Sequence, residues 1–146
     1  GLACAIDIGE AANIHPANKQ DVGKRLALEA ERIAYGKDIV SRGPLFVSAT
    51  PEGGVMRVSF RHAEGLKTSD GKAPGAFAVA GADKRFVWAD AKIDGDTVVV
   101  SSPKVPNPEY VRYGYAGYRG DCNLQNGTGL PAYPFRSDAY DYSKVK

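Results

Sequence analysis

The first 42 residues combine an apolar run, a polar loop and a helical repeat. Residues 3–8 are apolar on both faces, which is typical of a buried parallel strand. A polar loop follows at residues 9–17, and Asn18 is a typical N-cap. Apolar side chains then recur at helical spacing on one face, and Gly36 suits the end of the helix; these side chains are Val22, Leu26, Ala30 and Ile33. Strand, loop and helix predict half of an α/β unit, whose sheet needs further strands.

After residue 42 the period of the pattern changes from helical to extended. Strands are predicted at residues 44–48, 55–60, 76–80, 86–93, 97–101 and 110–113. Glycine- and aspartate-rich pairs separate several of them, and the Asp94-Gly95-Asp96 turn predicts a tight hairpin. This pattern favours an antiparallel β-sandwich with Trp88 in its core. Residues 120–146 lack periodicity, so we expect an ordered, irregular tail packed over the sandwich.

Composition narrows the function without identifying it. The chain has 146 residues, 43% of them apolar, and a formal net charge of +2. This balance and the absence of a basic run argue against a nucleic-acid partner. No apolar stretch approaches the roughly 20 residues that span a bilayer, so no membrane partner is expected. Cys4 is expected to be a small buried hydrophobe, although a Cys4–Cys122 disulfide stays open.

Several longer motifs resemble the C-terminal region of sialate O-acetylesterases, which are carbohydrate esterases of the SGNH/GDSL hydrolase superfamily. These motifs are Asp-Ile-Gly-Glu at 7–10, Ile-His-Pro at 14–16, the segment 19–27, Phe-Ala-Val-Ala-Gly-Ala-Asp-Lys at 77–84, and the segment 121–136. The resemblance covers nearly the whole chain. It implies an α+β protein in which residues 1–42 are the last strand, histidine loop and helix of a three-layer α/β hydrolase domain. Residues 43–146 would then be an appended β-sandwich with its irregular tail.

The resemblance also implies an activity. Members of this family remove acetyl groups from sugar hydroxyls, often on sialic acid, and bacterial members are commonly periplasmic or secreted. Their catalytic serine and their oxyanion glycine and asparagine lie upstream of the matching region. We therefore expect this chain to be the C-terminal part of an esterase that carries the base but not the nucleophile. Its expected partners are an acetylated carbohydrate and the upstream part of the same protein; the isolated chain should be inactive, and no cofactor is implied.

His15 is the candidate general base, and the resemblance supplies that role. Histidine suits it because its unperturbed pKa is about 6.5, and Pro16 restricts the backbone that carries the ring. SGNH enzymes usually carry an acid three residues before this histidine, but Ala12 stands there. Either another group orients the histidine or the active site is a dyad. The candidate orienting groups are the local carboxylates Glu10 and Asp7, the side-chain oxygen of Asn13 and a backbone carbonyl. Without the resemblance, a loop histidine that caps backbone groups would be the better interpretation.

Other candidate groups are better explained structurally. Gly-Asp-Cys-Asn-Leu at 120–124 mimics a GDSL turn, but it follows the sandwich strands, so Cys122 is not expected to be a nucleophile. His62 is expected on the surface, and hairpin chemistry explains Asp90, Asp94 and Asp96 better than calcium does. No cysteine–histidine cluster has zinc spacing. The alternative function is a non-catalytic sandwich module that binds carbohydrate through its tyrosines or interacts with another protein; these tyrosines are Tyr110, Tyr113, Tyr115, Tyr118, Tyr133, Tyr140 and Tyr142.

Overall fold

The structure, a computed structural model, describes residues 1–117 and 119–139. Tyr118, Tyr140 and Tyr142, which were considered as glycan contacts, lie outside the described residues. The predicted helix is confirmed as α1, Lys19–Ala34. The Asn18 side chain accepts a hydrogen bond from the Asp21 N–H at 3.1 Å and so caps its first turn. Of the helices formed by the described residues, none has the length and apolar character needed to cross a bilayer.

The orientation of α1 differs from the amphipathic pattern of its sequence. Leu26 and Ile33 are each 53% exposed, whereas Arg25 and Glu29 are buried. The helix therefore turns its charged face toward the rest of the chain and its apolar face outward. The physical reason is local pairing, because the buried charges find opposite charges and hydrogen-bond partners on neighbouring segments.

The strand predicted at residues 3–8 is not formed. This segment is irregular and turns at Ile6–Asp7, with the Ile8 N–H hydrogen-bonded to the Ala5 carbonyl at 3.3 Å. A parallel strand requires a neighbouring strand for its backbone hydrogen bonds, and the described residues supply none beside it. The segment is apolar, as the sequence shows, but within the described residues it pairs with no other strand.

The remainder of the described chain is built from short antiparallel strands. They are β1 (Leu45–Glu52), β2 (Val55–Arg61), β3 (Lys67–Thr68), β4 (Phe77–Ala80), β5 (Val87–Trp88), β6 (Asp90–Asp94), β7 (Thr97–Ser101), β8 (Tyr110–Tyr113), β9 (Leu124–Gln125) and β10 (Phe135–Arg136). Within the described residues, one four-stranded sheet has the order β1-β2-β7-β6 and a second has the order β10-β8-β4-β5. The strands β3 and β9 form a small separate pair. One helix-bearing segment and antiparallel sheets give an α+β chain.

One hydrophobic core lies between the two larger sheets, an arrangement that fits a β-sandwich. The first sheet contributes valines and Met56, and the second contributes Phe77, Tyr113 and Phe135. The Phe135 ring stacks on the Phe46 ring with centroids 4.4 Å apart, which links the edges of the two sheets. Inward and outward side chains alternate along β2, β7 and β8, as the period of two predicts.

Three details of the strand predictions are resolved by the pairing. The Asp94-Gly95-Asp96 hairpin is confirmed between β6 and β7, with Gly95 at φ 59°. The strand predicted at 86–93 is instead two strands in different sheets, because the chain crosses between the sheets at Ala89. Trp88 lies on the outer side of this crossing and is 51% exposed, so its predicted core position was wrong. Within the predicted irregular tail, β10 pairs with β8 and supplies core.

Candidate active site

The loop that carries His15 is organised by two neighbouring polar side chains. The Glu10 carboxylate accepts the Ala17 N–H at 2.6 Å and the Asn13 side-chain amide at 3.0 Å. The Asn13 side-chain oxygen in turn accepts the backbone N–H of His15 at 2.9 Å. Because Glu10 contacts both ends of residues 13–17, it closes this segment into a compact turn. The Ala17 and Asn13 hydrogen bonds hold the pKa of Glu10 below its usual range.

His15 lies at the exposed tip of this loop. Its neighbour Ile14 is 89% exposed, and Pro16 follows directly. Among the described residues, no side chain hydrogen-bonds to the His15 imidazole. The hydrogen bonds of this loop therefore fix the backbone of His15 and leave its ring available to a group outside the described residues. A histidine in this state can accept a proton from a nucleophile that reaches the loop.

The side chain of Asp7 contacts helix α1 and not His15. Its carboxylate forms a bidentate pair with the Arg25 guanidinium, with N–O distances of 2.7 and 2.8 Å. The same guanidinium donates to the Cys4 carbonyl at 2.8 Å. Arg25 is buried, so these contacts fasten the segment before the histidine loop to the first half of α1. The carboxylate of Asp7 is therefore paired with an arginine and not with the histidine.

A second and larger ion cluster centres on Glu29, which is 2% exposed. Its carboxylate accepts the Arg42 guanidinium at 3.0 and 2.9 Å and the Arg32 guanidinium at 3.3 and 3.2 Å. It also accepts the Ser41 hydroxyl at 2.6 Å and the Leu2 N–H at 3.3 Å. The pairing with Arg42, above all, holds the pKa of Glu29 far below its usual range although burial opposes this.

The Glu29 cluster joins Leu2, α1 and residues 41–42, and two of these parts are hydrogen-bonded to the sandwich. The Arg42 carbonyl accepts the Asn126 side-chain amide at 3.1 Å, and the Tyr133 hydroxyl donates to the Leu2 carbonyl at 2.5 Å. The position of the histidine loop relative to the sheets therefore depends on buried charges. The sequence pattern puts Arg25 and Glu29 off the apolar face of the helix, and neither was singled out as a candidate residue. The sequence did contain an indication of these contacts. Arg25 and Glu29 are four residues apart and so share a helix face, and Asp7 lies within an apolar run.

The structure does not bring the predicted carboxylates to the histidine ring. Glu10 binds loop groups and Asp7 binds Arg25, so each acts on the backbone around His15. Their assignment as orienting acids stays a prediction, and so does the backbone-carbonyl alternative. Asn13 uses its side-chain oxygen for the His15 N–H, not for the imidazole.

The GDSL-like turn at residues 120–124 is a structural element. Cys122 is a free, buried thiol, and burial next to the Asp121 charge raises its pKa to about 11. The flanking polar groups are already used, because Asp121 binds Arg119 at 2.6 Å and Asn123 accepts the Gly75 N–H at 3.0 Å. Cys4 is also free, so the open disulfide is not formed. This environment disfavours the thiolate that a nucleophile requires.

The remaining candidates are dispersed over the molecule. His62 is exposed, as expected, and its carbonyl accepts the Asn126 amide at 3.3 Å. Asp94 pairs with Arg57 at 2.7 Å beside the hairpin. Of the described tyrosines, Tyr113 is fully buried in the core and so cannot contact a carbohydrate. Across residues 1–117 and 119–139, no group of three carboxylate, histidine or cysteine side chains could hold a metal ion.

Comparison with solved structures provides a relative. A crystal structure of a protein from Xanthomonas citri superposes with a TM-score of 0.89 at 45% sequence identity, over 94% of this chain. That protein is described as a novel carbohydrate acetylesterase. The match covers 32% of the acetylesterase chain, so the present chain spans about a third of the length of its relative. No known family model matches the chain, and no curated protein matches it either.

Proposed function

We propose that this chain is the C-terminal part of a carbohydrate O-acetylesterase in which His15 is the general base. The observation that carries the proposal is the 45% identity to one third of a carbohydrate acetylesterase. The local geometry agrees with it, because hydrogen bonds fix the His15 backbone while its ring stays exposed. The division at residue 42, with a hydrolase remnant before it and a sandwich after it, is part of the same proposal.

The exposed apolar side chains of residues 1–42 support the proposal that another part of the protein covers this surface. Leu2, Ile14, Leu26 and Ile33 are all exposed, although each lies within or beside the segment that resembles a hydrolase domain. Large apolar side chains that occur together on a surface commonly mark an interface. The upstream part of the esterase is the proposed cover, and it would also supply partner strands for residues 3–8.

The proposed reaction divides ester cleavage into two steps. A serine hydroxyl from the upstream part attacks the acetyl carbonyl, a new C–O bond forms, and His15 takes the hydroxyl proton. The bond to the sugar oxygen then breaks, and the imidazolium returns the proton to that oxygen. In the second step water loses a proton to His15 and attacks the acyl carbon. The bond between the acyl carbon and the serine oxygen breaks, the imidazolium returns the proton to that oxygen, and acetic acid leaves and ionises in solution. No cofactor takes part in this scheme.

Asp7 and Glu10 are proposed to position the loop in this scheme, since their carboxylates act through Arg25 and through Asn13 and Ala17. The motifs that resemble sialate O-acetylesterases extend the proposal to acetylated sialic acid as one substrate. On the same resemblance, we propose a periplasmic or secreted location.

The test is a His15→Ala variant of the full-length protein, assayed on p-nitrophenyl acetate and on an O-acetylated sugar. Loss of the base is expected to lower kcat by about a thousandfold or more. His62→Ala is the matched control, because it removes the other exposed histidine and should leave kcat unchanged. Near-normal turnover by a folded His15→Ala protein would remove His15 from the mechanism. The isolated chain should show no turnover, and Cys122-dependent hydrolysis by it would contradict the proposal.

A further inference from the structure

The outer face of the second sheet carries a row of side chains unlike the rest of the surface. Trp88 of β5 lies opposite Ala78 of β4, Ala78 lies opposite Arg112 of β8, and Arg112 lies opposite Arg136 of β10. Directly paired residues of antiparallel strands project from the same face. The opposite face of these strands carries Phe77, Val111 and Phe135 into the core, so the row faces away from the core.

Guanidinium groups pack on aromatic rings along and beside this row. The Arg119 guanidinium lies 3.7 Å from the Trp88 ring centroid, and the Arg112 guanidinium lies 3.7 Å from the Phe86 centroid. Arg112 is also 5.1 Å from the Tyr115 centroid. We call this set, Phe86, Trp88, Arg112, Tyr115, Arg119 and Arg136, the aromatic–arginine surface. Trp88 is 51% exposed and Tyr115 is 46% exposed, so its two outermost rings are accessible.

Carboxylates hold the guanidinium groups in place. Asp121 accepts two hydrogen bonds from Arg119, at 3.1 and 2.6 Å. The buried Asp138 accepts two from Arg112, at 3.0 and 2.7 Å, and it also pairs with Arg136. Burial alone would raise the pKa of Asp138, but these two arginines outweigh it and keep the carboxyl ionised. The guanidinium groups that contact the rings are therefore held in fixed positions by their carboxylate partners.

We infer that the aromatic–arginine surface binds a neutral glycan chain by stacking sugar rings on Trp88 and Tyr115. Exposed, pre-oriented aromatic faces match the apolar faces of pyranose rings and lose little conformational entropy when they are covered. An anionic glycan gains less from these arginines, because carboxylates already neutralise much of their charge. The choice of a glycan rests on the proposed function, since an esterase acting on carbohydrate gains from a second contact with its polymer.

The binding test uses the one tryptophan of the chain as its reporter. Titration of the chain with cellohexaose, xylohexaose or mannohexaose, all unacetylated, should change the Trp88 fluorescence in a saturable way for at least one of them. Calorimetry then compares variants. Trp88→Ala and Tyr115→Ala are each expected to weaken binding about tenfold, whereas Trp88→Tyr retains most of it. Tyr35→Ala is the control, because it removes an exposed aromatic ring from the far end of α1.

Two outcomes would overturn the inference. One is binding of hexagalacturonate in preference to every neutral hexasaccharide; the other is no saturable change with any glycan by a chain that unfolds cooperatively. Failure of the esterase proposal looks different, because binding to unacetylated sugars needs no hydrolysis. In the full-length protein, Trp88→Ala should raise KM for an acetylated polysaccharide by a larger factor than KM for p-nitrophenyl acetate. An unchanged KM would also count against the inference.

Discussion

The buried carboxylate of Glu29 allows the attachment of α1 to the sandwich to be tested by one substitution. Glu29→Ala removes the acceptor for two guanidinium groups, the Ser41 hydroxyl and the Leu2 N–H. Arg32 and Arg42 would then face each other without the charge that separates them. The helix has little other hold on the sandwich, because its apolar side chains Leu26 and Ile33 point outward.

The expected loss follows from the burial of this charge cluster. Removing one partner of a fully buried ion pair costs about 3–5 kcal/mol, since it leaves the other charge uncompensated. The side chains of Arg32 and Arg42 are 36% and 32% exposed, so we expect the lower end of that range, about 3 kcal/mol. Glu31→Ala is the matched control on the same helix. Its carboxylate is 41% exposed and forms a single ion pair with Lys37 at 3.3 Å, so its loss should cost well under about 1 kcal/mol.

Urea unfolding followed by two probes separates the helix from the sheets. Circular dichroism at 222 nm reports mainly on α1, and fluorescence reports on Trp88 in the second sheet. With an m-value of about 1–3 kcal/mol/M, a loss of 3 kcal/mol lowers a midpoint by about 1 M or more. We expect this shift in the helix transition and a smaller shift in the Trp88 transition, because a detached helix of this length is marginal in water. The reasoning is refuted if the urea midpoint of the helix transition is the same in Glu29→Ala as in Glu31→Ala.

Three further predictions concern pH, thiols and the histidine loop. The pKa values of Glu29 and Asp138 are lowered by folding, so their stabilisation is complete above the unfolded values of about 4.3 and 3.9. The melting temperature should therefore be flat from pH 7 to about 5 and fall below that; a fall that begins above pH 5.5 would contradict it. Cys122 should resist thiol reagents at pH 8 until urea unfolds the chain, since a pKa of about 11 leaves about one Cys122 in a thousand ionised. In the full-length enzyme, Asp7→Asn should lower kcat about tenfold or more with KM little changed, as expected for a loop-positioning group, and an unchanged kcat would exclude that role.

The sequence predicted the elements whose causes are local. The helix at residues 19–34 follows from its N-cap and its spacing, and the hairpin at Gly95 follows from the positive φ that the turn requires. The antiparallel character after residue 42 follows from the alternation of apolar and polar side chains. None of these features depends on what the segment packs against.

Features decided by distant partners were not predictable in the same way. Trp88 was expected in the core because it lies within an apolar run, but the change of sheet at Ala89 turns it outward. The strand β10 lies in a segment without periodicity, and its pairing with β8 decides its conformation. At the candidate site, the position of His15 was predicted from its motif. The contacts of Asp7 and Glu10 were not predicted. They depend on which face of α1 is buried and on how the histidine loop closes, and no local sequence pattern specifies either.

The inverted burial of α1 connects these observations to the proposed function. Full burial of a leucine or isoleucine side chain is worth about 1.5–3 kcal/mol, so half-exposed Leu26 and Ile33 each leave about 1 kcal/mol unrealised. If α1 contacted only the sandwich, burial of Leu26 and Ile33 would stabilise it more than burial of Glu29, because Glu29 and its arginine partners must lose their hydration. The observed orientation is favourable overall if a second surface covers the apolar face. The same surface would approach the exposed loop of His15, because the loop leads directly into this helix.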